Sequence, residues 1–408
     1  MTGTGFLAIL LLLAGVVLEA PVAVVLAIVI LLLEVVRAVW RRNGLRDVRY
    51  TRRLARDRIT WGEEIDMTVE VWNRKGLPLA WLRADDGTSP GVTVRERPLV
   101  IGFHGGRVLR NAWTLAPFEK VVRRFHIGAE RRGVYELGPV ELSVGDLFAH
   151  EAAAEQRPGL DRFLVRPRTV PAPPLHRRDI VGGTDRARFG LAEDPARFAG
   201  IREYAPGDPL RRVHPLASAR LGWPVVKVFE PSRDREVLLA LDVQTRDGAA
   251  WELPYDPEQV ESLFVIAASL ARSLAAEGAA VGLAAAGYHG AESRFAMIAP
   301  SSAPGGVERL LDLLARLSAH PSAPFERLIA TIMRTTRSGT TVVVLTSRDP
   351  APYLAHLRRL TQSGCPVMVV ACGDRADADA ARARASGLAA RTAALDAPWP
   401  TAERLGIA

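Results

Sequence analysis

The sequence predicts a multidomain protein: an N-terminal transmembrane α-hairpin, a small antiparallel β-sandwich and a C-terminal doubly wound α/β domain. Three observations predict it. Residues 6–33 are apolar and carry one charge, Glu19, and nothing later in the chain resembles them. Residues 44–170 hold short runs that alternate apolar and polar residues, the period of half-buried strands. From about residue 235, continuous apolar runs alternate with helical periods, the pattern of a mainly parallel sheet covered on both faces.

The membrane segment, residues 1–43, divides at Glu19-Ala20-Pro21. Residues 2–18 would span ~25 Å as a helix and residues 21–40 ~30 Å, close to the hydrocarbon thickness of a bilayer. Pro21 suits a first helical position. One long tilted helix would bury Glu19 near its middle, at a cost of at least ~2.5 kcal/mol, so a hairpin is expected. A signal peptide fits poorly: no basic segment precedes the apolar run, and Leu18-Glu19-Ala20 is a poor cleavage site. Nine arginines lie between Arg37 and Arg58, against Asp47 and Asp57. The positive-inside rule therefore places the soluble domains on the cytoplasmic face of the cell membrane. Trp40 suits the interfacial belt, and Glu34 can pair with Arg37 one turn on.

Composition excludes some classes. The net charge is +8, but only three of the 53 basic residues are lysine, a skew that looks like codon bias. No basic stripe with interleaved aromatics appears, so nucleic acid is not an expected partner. Cys365 and Cys372 flank a strand-like run that would hold their Cα atoms ~23 Å apart, too far for a disulfide. Free thiols suit a reducing compartment.

Residues 44–170 read as the β-sandwich. Strands are expected at 65–72, 79–82, 121–127, 134–137 and 140–144, with Gly, Pro, Asn and Asp between them. Gly102-Phe103-His104-Gly105-Gly106 follows a strand-like pair with no helix after it, so it reads as a hairpin tip. Residues 171–234 form a linker and a distinctive segment, with Pro171, Pro173, Pro174 and Gly182-Gly183 marking a loop.

The α/β domain occupies 235–408. Strands are expected at 237–241, 279–285, 341–345 and 366–371, and helices at 258–276, 307–317, 325–335 and 352–362. In the first helix Val260, Leu263, Phe264, Ala267 and Leu270 share one face.

Residues 197–230 concentrate unusual chemistry. Gly207-Asp208-Pro209 reads as a turn into a short helix, with Asp208 as its cap. Arg211, Arg212 and Arg220 cluster with His214, and Val225 to Phe229 reads as a strand. Such arginines can satisfy carboxylates and carbonyls at a junction, or form an anion or partner site.

This stretch resembles the signature of the domain-of-unknown-function family 58. The matching residues are Arg202, Tyr204, Gly207, Asp208, Arg211, Arg212, His214, Ser218, Ala219, Arg220 and Glu230. The run from Arg131 to Pro139 resembles the family's second signature, and Gly145-Asp146-Leu147-Phe148 the motif after it. Pro215 departs from the pattern, standing where the family has Trp; a proline there is expected to end or kink the helix at Val213 or His214. The resemblance implies a von Willebrand factor A-like α/β domain, a MoxR-type AAA+ ATPase as partner, and a role in assembling or maturing other complexes.

Domains of that kind hold Mg2+ at the end of the first strand through hard oxygen ligands. Here Asp242 matches, Gln244 offers a carbonyl, and Thr346 follows a later strand. Arg246 brings a positive charge, and Asp349 comes two residues late. The set reads as a degenerate metal site with no cofactor, in which Asp242 pairs with Arg246 or caps a turn. No Walker loop, dinucleotide motif or nucleophile elbow appears. The expectation is a membrane-tethered, non-enzymatic interaction or scaffold protein. The alternatives are a metal-assisted hydrolase using Asp208, His214 and Asp242, and an adhesion module, which the cytoplasmic orientation disfavours.

Overall fold

The computed structural model describes residues 3–145, 151–175, 193–205, 208, 212–231, 236–246, 248, 254–287 and 295–408. The chain divides into two compact units, Met1–Arg166 and Pro167–Ala408.

The first unit opens with α1 (Gly3–Val17) and α2 (Pro21–Asn43). Leu18 N bonds Ala14 O and Ala20 N bonds Gly15 O, closing a turn in which Glu19 has φ 50°. The helices then run back along each other. Thr4 Oγ1 donates to Glu34 Oε1 at 2.5 Å, joining the start of α1 to the far half of α2. Ala8 and Ala27 are buried, and a Cβ on Gly15 would lie 3.1 Å from that of Ala23. Small residues let apolar helices approach closely without a solvent-driven core. Leu7, Leu13, Val22 and Val25 remain exposed on the outside. By length and composition α2 can cross a membrane, with a mean hydropathy of 2.8 over its most apolar stretch; α1 is shorter.

Eleven strands follow in this unit: β1 (Val48–Leu54), β2 (Arg58–Thr60), β3 (Ile65–Asn73), β4 (Leu79–Thr88), β5 (Val92–Val94), β6 (Val100–Ile101), β7 (Arg107–Leu115), β8 (Lys120–Ala129), β9 (Gly133–Gly145), β10 (Glu151–Arg157) and β11 (Asp161–Arg166). They form two sheets, β1-β3-β8-β5 and β2-β11-β9-β4-β7-β6, with β10 also beside β9. Every pairing is antiparallel except β2 with β11. In β3 the side chains of Ile65, Met67, Val69 and Val71 alternate into the core, where they join Leu82, Leu109, Leu142 and Phe163 of the other sheet. The Gly102–Gly106 tip closes β6 onto β7, with Gly102 N donating to Gly106 O at 2.7 Å.

The strands expected at 134–137 and 140–144 are one strand, β9. Its outer neighbour changes at the proline: β11 pairs as far as Leu137 and β10 begins opposite Val140. Pro139, which has no N–H to donate, therefore sits at a changeover on that side, and the β4 ladder on the other side shifts register at the same point.

Arg52 lies inside this unit although the sequence suggests a juxtamembrane charge. Its side chain is only 6% exposed. It donates to Asp86 at 2.5 Å, Asp161 at 2.7 Å and Leu137 O at 2.7 Å, and the Tyr50 hydroxyl also bonds Asp86.

The second unit begins with an antiparallel pair, β12 (Glu193–Glu203) and β13 (Val225–Pro231), and between them α3 (Pro215–Leu221). There follow β14 (Glu236–Leu241), α4 (Pro257–Ala276), β15 (Ala280–Ala285), β16 (Ala296–Ser301), α5 (Gly306–Arg316), α6 (Phe325–Thr335) and β17 (Thr341–Thr346). Then come α7 (Leu354–Gln362), β18 (Val367–Cys372), α8 (Ala376–Ala385), β19 (Ala389–Leu395) and β20 (Leu405–Ile407). The sheet order is β16-β15-β14-β17-β18-β19-β20, with the five inner strands parallel and both edges antiparallel. Helices α6, α7 and α8 share a core with Leu238, Ala240, Val342, Val344, Val367 and Val369. Helix α4 buries Val260, Leu263, Phe264, Ala267 and Leu270; although apolar, 67% of its most apolar stretch is inside the unit. Every residue of β15, β17 and β18 is buried, as a sheet covered on both faces requires. The connection reverses direction between β14 and β17, and ligands of doubly wound sheets bind where the strand order reverses.

Candidate functional site

The distinctive segment at 197–230 folds as a backbone clamp. Arg202 grips Asp208 with both terminal nitrogens, at 2.7 and 2.6 Å. Asp208 also accepts from Ala205 N at 2.9 Å. The guanidinium first, and then that N–H, hold the Asp208 carboxyl down to about 2, so Asp208 keeps its charge well into acid. Tyr204 N bonds Pro224 O, and His214 N bonds Val225 O. His214 Nδ1 accepts from Ala217 N at 3.2 Å and so caps α3. Ser218 Oγ accepts from Val225 N at 3.0 Å. The imidazole and the hydroxyl are both committed to folding α3 onto β13. Gly207 and Arg211 lie outside the described residues, as do Asp146, Leu147 and Phe148 of the second motif.

Residues 209–211, where a helix ending at Val213 or His214 would lie, are outside the described residues. Pro215 opens α3 at the first helical position, where its missing N–H has no intrahelical partner to lose. Tryptophan is not needed there for the helix to start.

The second cluster lies at the carboxyl ends of β14 and β17. Asp242 follows β14 and is 1% exposed; Arg348 follows β17 and is 7% exposed. Arg348 Nε donates to Asp242 Oδ2 at 2.8 Å. Thr346 Oγ1 lies 3.4 Å from the same oxygen and accepts from the Tyr353 hydroxyl at 2.8 Å. The Tyr353 ring sits under the guanidinium, 5.1 Å away. Burial pushes the Asp242 carboxyl up to about 6, partly offset by Arg348. Burial likewise works against the Arg348 charge, but Asp242 outweighs it and its pKa is raised.

The degenerate metal site at Asp242, Gln244 and Thr346 is thus drawn together only in part, and a guanidinium stands where a cation would. Gln244 turns its amide away, donating to Arg246 O at 3.2 Å. Asp349 bonds Ala351 N at 2.9 Å and pairs with Arg382. Asp242 pairs with Arg348, not Arg246; Arg246 instead reaches Asp256, the cap of α4, at 2.6 Å. These residues do not fit a divalent ion, since a positive group already holds the one buried carboxylate. Among the described residues no group of three or more His, Cys, Asp or Glu could hold a metal. Arg348 and Tyr353 carry no signal in the sequence, where arginine is everywhere. Cys372 is buried and its thiol pushed up to about 12, a poor nucleophile; Cys365 is also a buried free thiol.

Residues 200–380 match the family described as protein of unknown function DUF58. The uncharacterized protein YeaD of Bacillus subtilis (strain 168) is 24% identical over 249 residues, which cover 60% of this chain and 57% of that protein. The chain therefore spans less than two thirds of that relative. Among solved structures, a CARDB domain from Pyrococcus furiosus is 14% identical over 29% of this chain and 92% of its own, with a TM-score of 0.20. A cohesin module from Clostridium perfringens is 11% identical over 28% of this chain and 96% of its own, also at 0.20. Likenesses at that score carry no functional weight.

Proposed function

We propose, from the premise that residues 200–380 belong to the DUF58 family of proteins of unknown function, that this is a membrane-tethered, non-enzymatic interaction protein. The observation that carries the reading is the Arg348–Asp242 pair. It closes the strand-end position with a guanidinium, so the α/β unit keeps a ligand-facing edge without a metal to polarise water. The hydrolase reading needs Asp208, His214 and Asp242 to act together, yet each is committed elsewhere: to Arg202, to the α3 cap and to Arg348.

The α1–α2 hairpin is the tether, supported by its apolar exterior and by the length of α2. Both soluble units are cytoplasmic in this reading, which the arginines from Arg37 to Arg58 support. The α/β unit is von Willebrand factor A-like, which the strand order with an antiparallel β16 at the edge supports. The partner is a MoxR-type AAA+ ATPase, and the role is assembly or maturation of other complexes; the resemblance of the 197–230 segment supports both. The test is a pull-down of the tagged full-length protein from membranes with and without ATP. An AAA+ ATPase is expected to co-purify. If none does under either condition, the partner assignment fails.

A further inference from the structure

A cavity of about 210 Å³ opens beside Arg348, lined by Thr245, Arg246, Gln259, Ser347, Asp374 and Arg375 as well as Arg348 itself. It shares Gln259, Ser347 and Asp374 with a larger cavity of about 370 Å³, whose walls include Leu263, Ile266, Ala393, Leu395 and Pro398. Together they occupy the crevice at the carboxyl ends of β14, β17 and β18, where the strand order reverses.

Three buried polar atoms on the lining have no hydrogen-bond partner among the described residues: Arg348 Nη2, Ser347 Oγ and Gln259 Oε1. Leaving one such atom unsatisfied costs about 1–3 kcal/mol, and native structures keep few of them. Three on one crevice mark a place that something else completes.

We infer that this crevice binds a monocarboxylate attached to an apolar group. The carboxylate bridges Arg348 Nη2 and Ser347 Oγ, and the apolar part lies along Leu263, Ile266 and Leu395. Two facts select this class. Two donors match the two oxygens of a carboxylate better than the three of a phosphate. The charge balance disfavours a dianion, because the three lining arginines are already matched by Asp374, Asp242 and Asp256. Arg348 keeps Nη2 for the ligand while its Nε holds Asp242. Gln259 Oε1 is left for a ligand N–H or hydroxyl. The source is either a free small acid or the C-terminus of a protein, and the two share this chemistry. The inference stands on the α/β unit alone and does not depend on the membrane tether.

The test uses the full chain in nanodiscs and fluorine NMR of 4-fluorobenzoate. 4-Fluorobenzamide and 4-fluorophenyl phosphate serve as the neutral and dianionic analogues. Saturable binding of the acid is expected, with both analogues at least ~10-fold weaker. Ser347→Ala, which leaves the Arg348–Asp242 pair in place, should weaken the acid ~10-fold. Ala394→Trp, at an exposed position on the apolar wall, should abolish binding. Displacement by a peptide with a free C-terminal leucine, but not by its amide, assigns the source to a protein terminus; no displacement by either assigns it to a small acid. The inference is overturned by any of three results: no saturable binding of the acid, an amide that binds equally well, or an affinity unchanged by both substitutions.

Discussion

Arg348→Ala is expected to destabilise the α/β unit by about 3–5 kcal/mol at pH 8, because it strands a buried carboxylate without its partner. Asp242 is 1% exposed and has Arg348 as its only cationic neighbour within hydrogen-bond reach among the described residues. The loss should depend on pH with a definite sign. Burial already pushes the Asp242 carboxyl up to about 6, against ~3.9 in an unfolded chain. The folded state therefore holds this proton more tightly than the unfolded state. The group's contribution to stability is fullest below the unfolded value and falls as pH rises through about 6. Removing Arg348 moves the folded value higher still. The loss should be largest at pH 8 and shrink towards pH 5, where Asp242 can be neutral. Replacing the whole pair, as Asp242→Leu with Arg348→Met, should recover most of the stability. Urea unfolding of the full chain, followed by circular dichroism at both pH values, reads these differences. A loss under about 1 kcal/mol, or one that grows in acid, would show that the pair does not hold the strand ends.

In the other unit, Arg52→Ala should cost about 3–5 kcal/mol, while Arg53→Ala next to it should stay within ~0.5 kcal/mol. Arg52 ties Asp86, Asp161 and Leu137 O together inside the sandwich, and burial already raises the Asp86 carboxyl. Arg53 is exposed on the same strand. The same urea measurement compares them directly, and equal effects at the two positions would contradict the buried network.

Much of this architecture is legible in the sequence because period and composition dictate it. The turn at Glu19 to Pro21 forms where a charge and a helix-starting proline interrupt an apolar run. Strand β3 follows its alternation residue by residue, and α4 and α6 follow their apolar faces. What escaped lacks that signal. Helix α8 reads Ala-Asp-Ala-Asp-Ala-Ala-Arg-Ala-Arg-Ala, whose apolar positions are all alanine and whose charges alternate like a strand. Strands β19 and β20 sit at one edge of the sheet and β16 at the other, where short or alanine-rich runs suffice. At the strand ends, Asp242 and Thr346 could be found from their places after apolar strands. Their partner could not, because Arg348 is one arginine among many and only the fold brings it across from β17 to β14. The nine arginines from Arg37 to Arg58 show the same limit: period and charge suggest a uniform basic segment, yet the Arg52 side chain is buried.

The most direct measurement is a calorimetric titration of the full chain with Mg2+, Mn2+ and Zn2+. A strand-end site completed by Arg348 predicts no saturable heat that depends on Asp242. Micromolar binding that Asp242→Ala and Gln244→Ala each abolish, in proteins shown to be folded, would mean that a cation displaces the guanidinium. The site would then be a metal centre and not a closed ion pair.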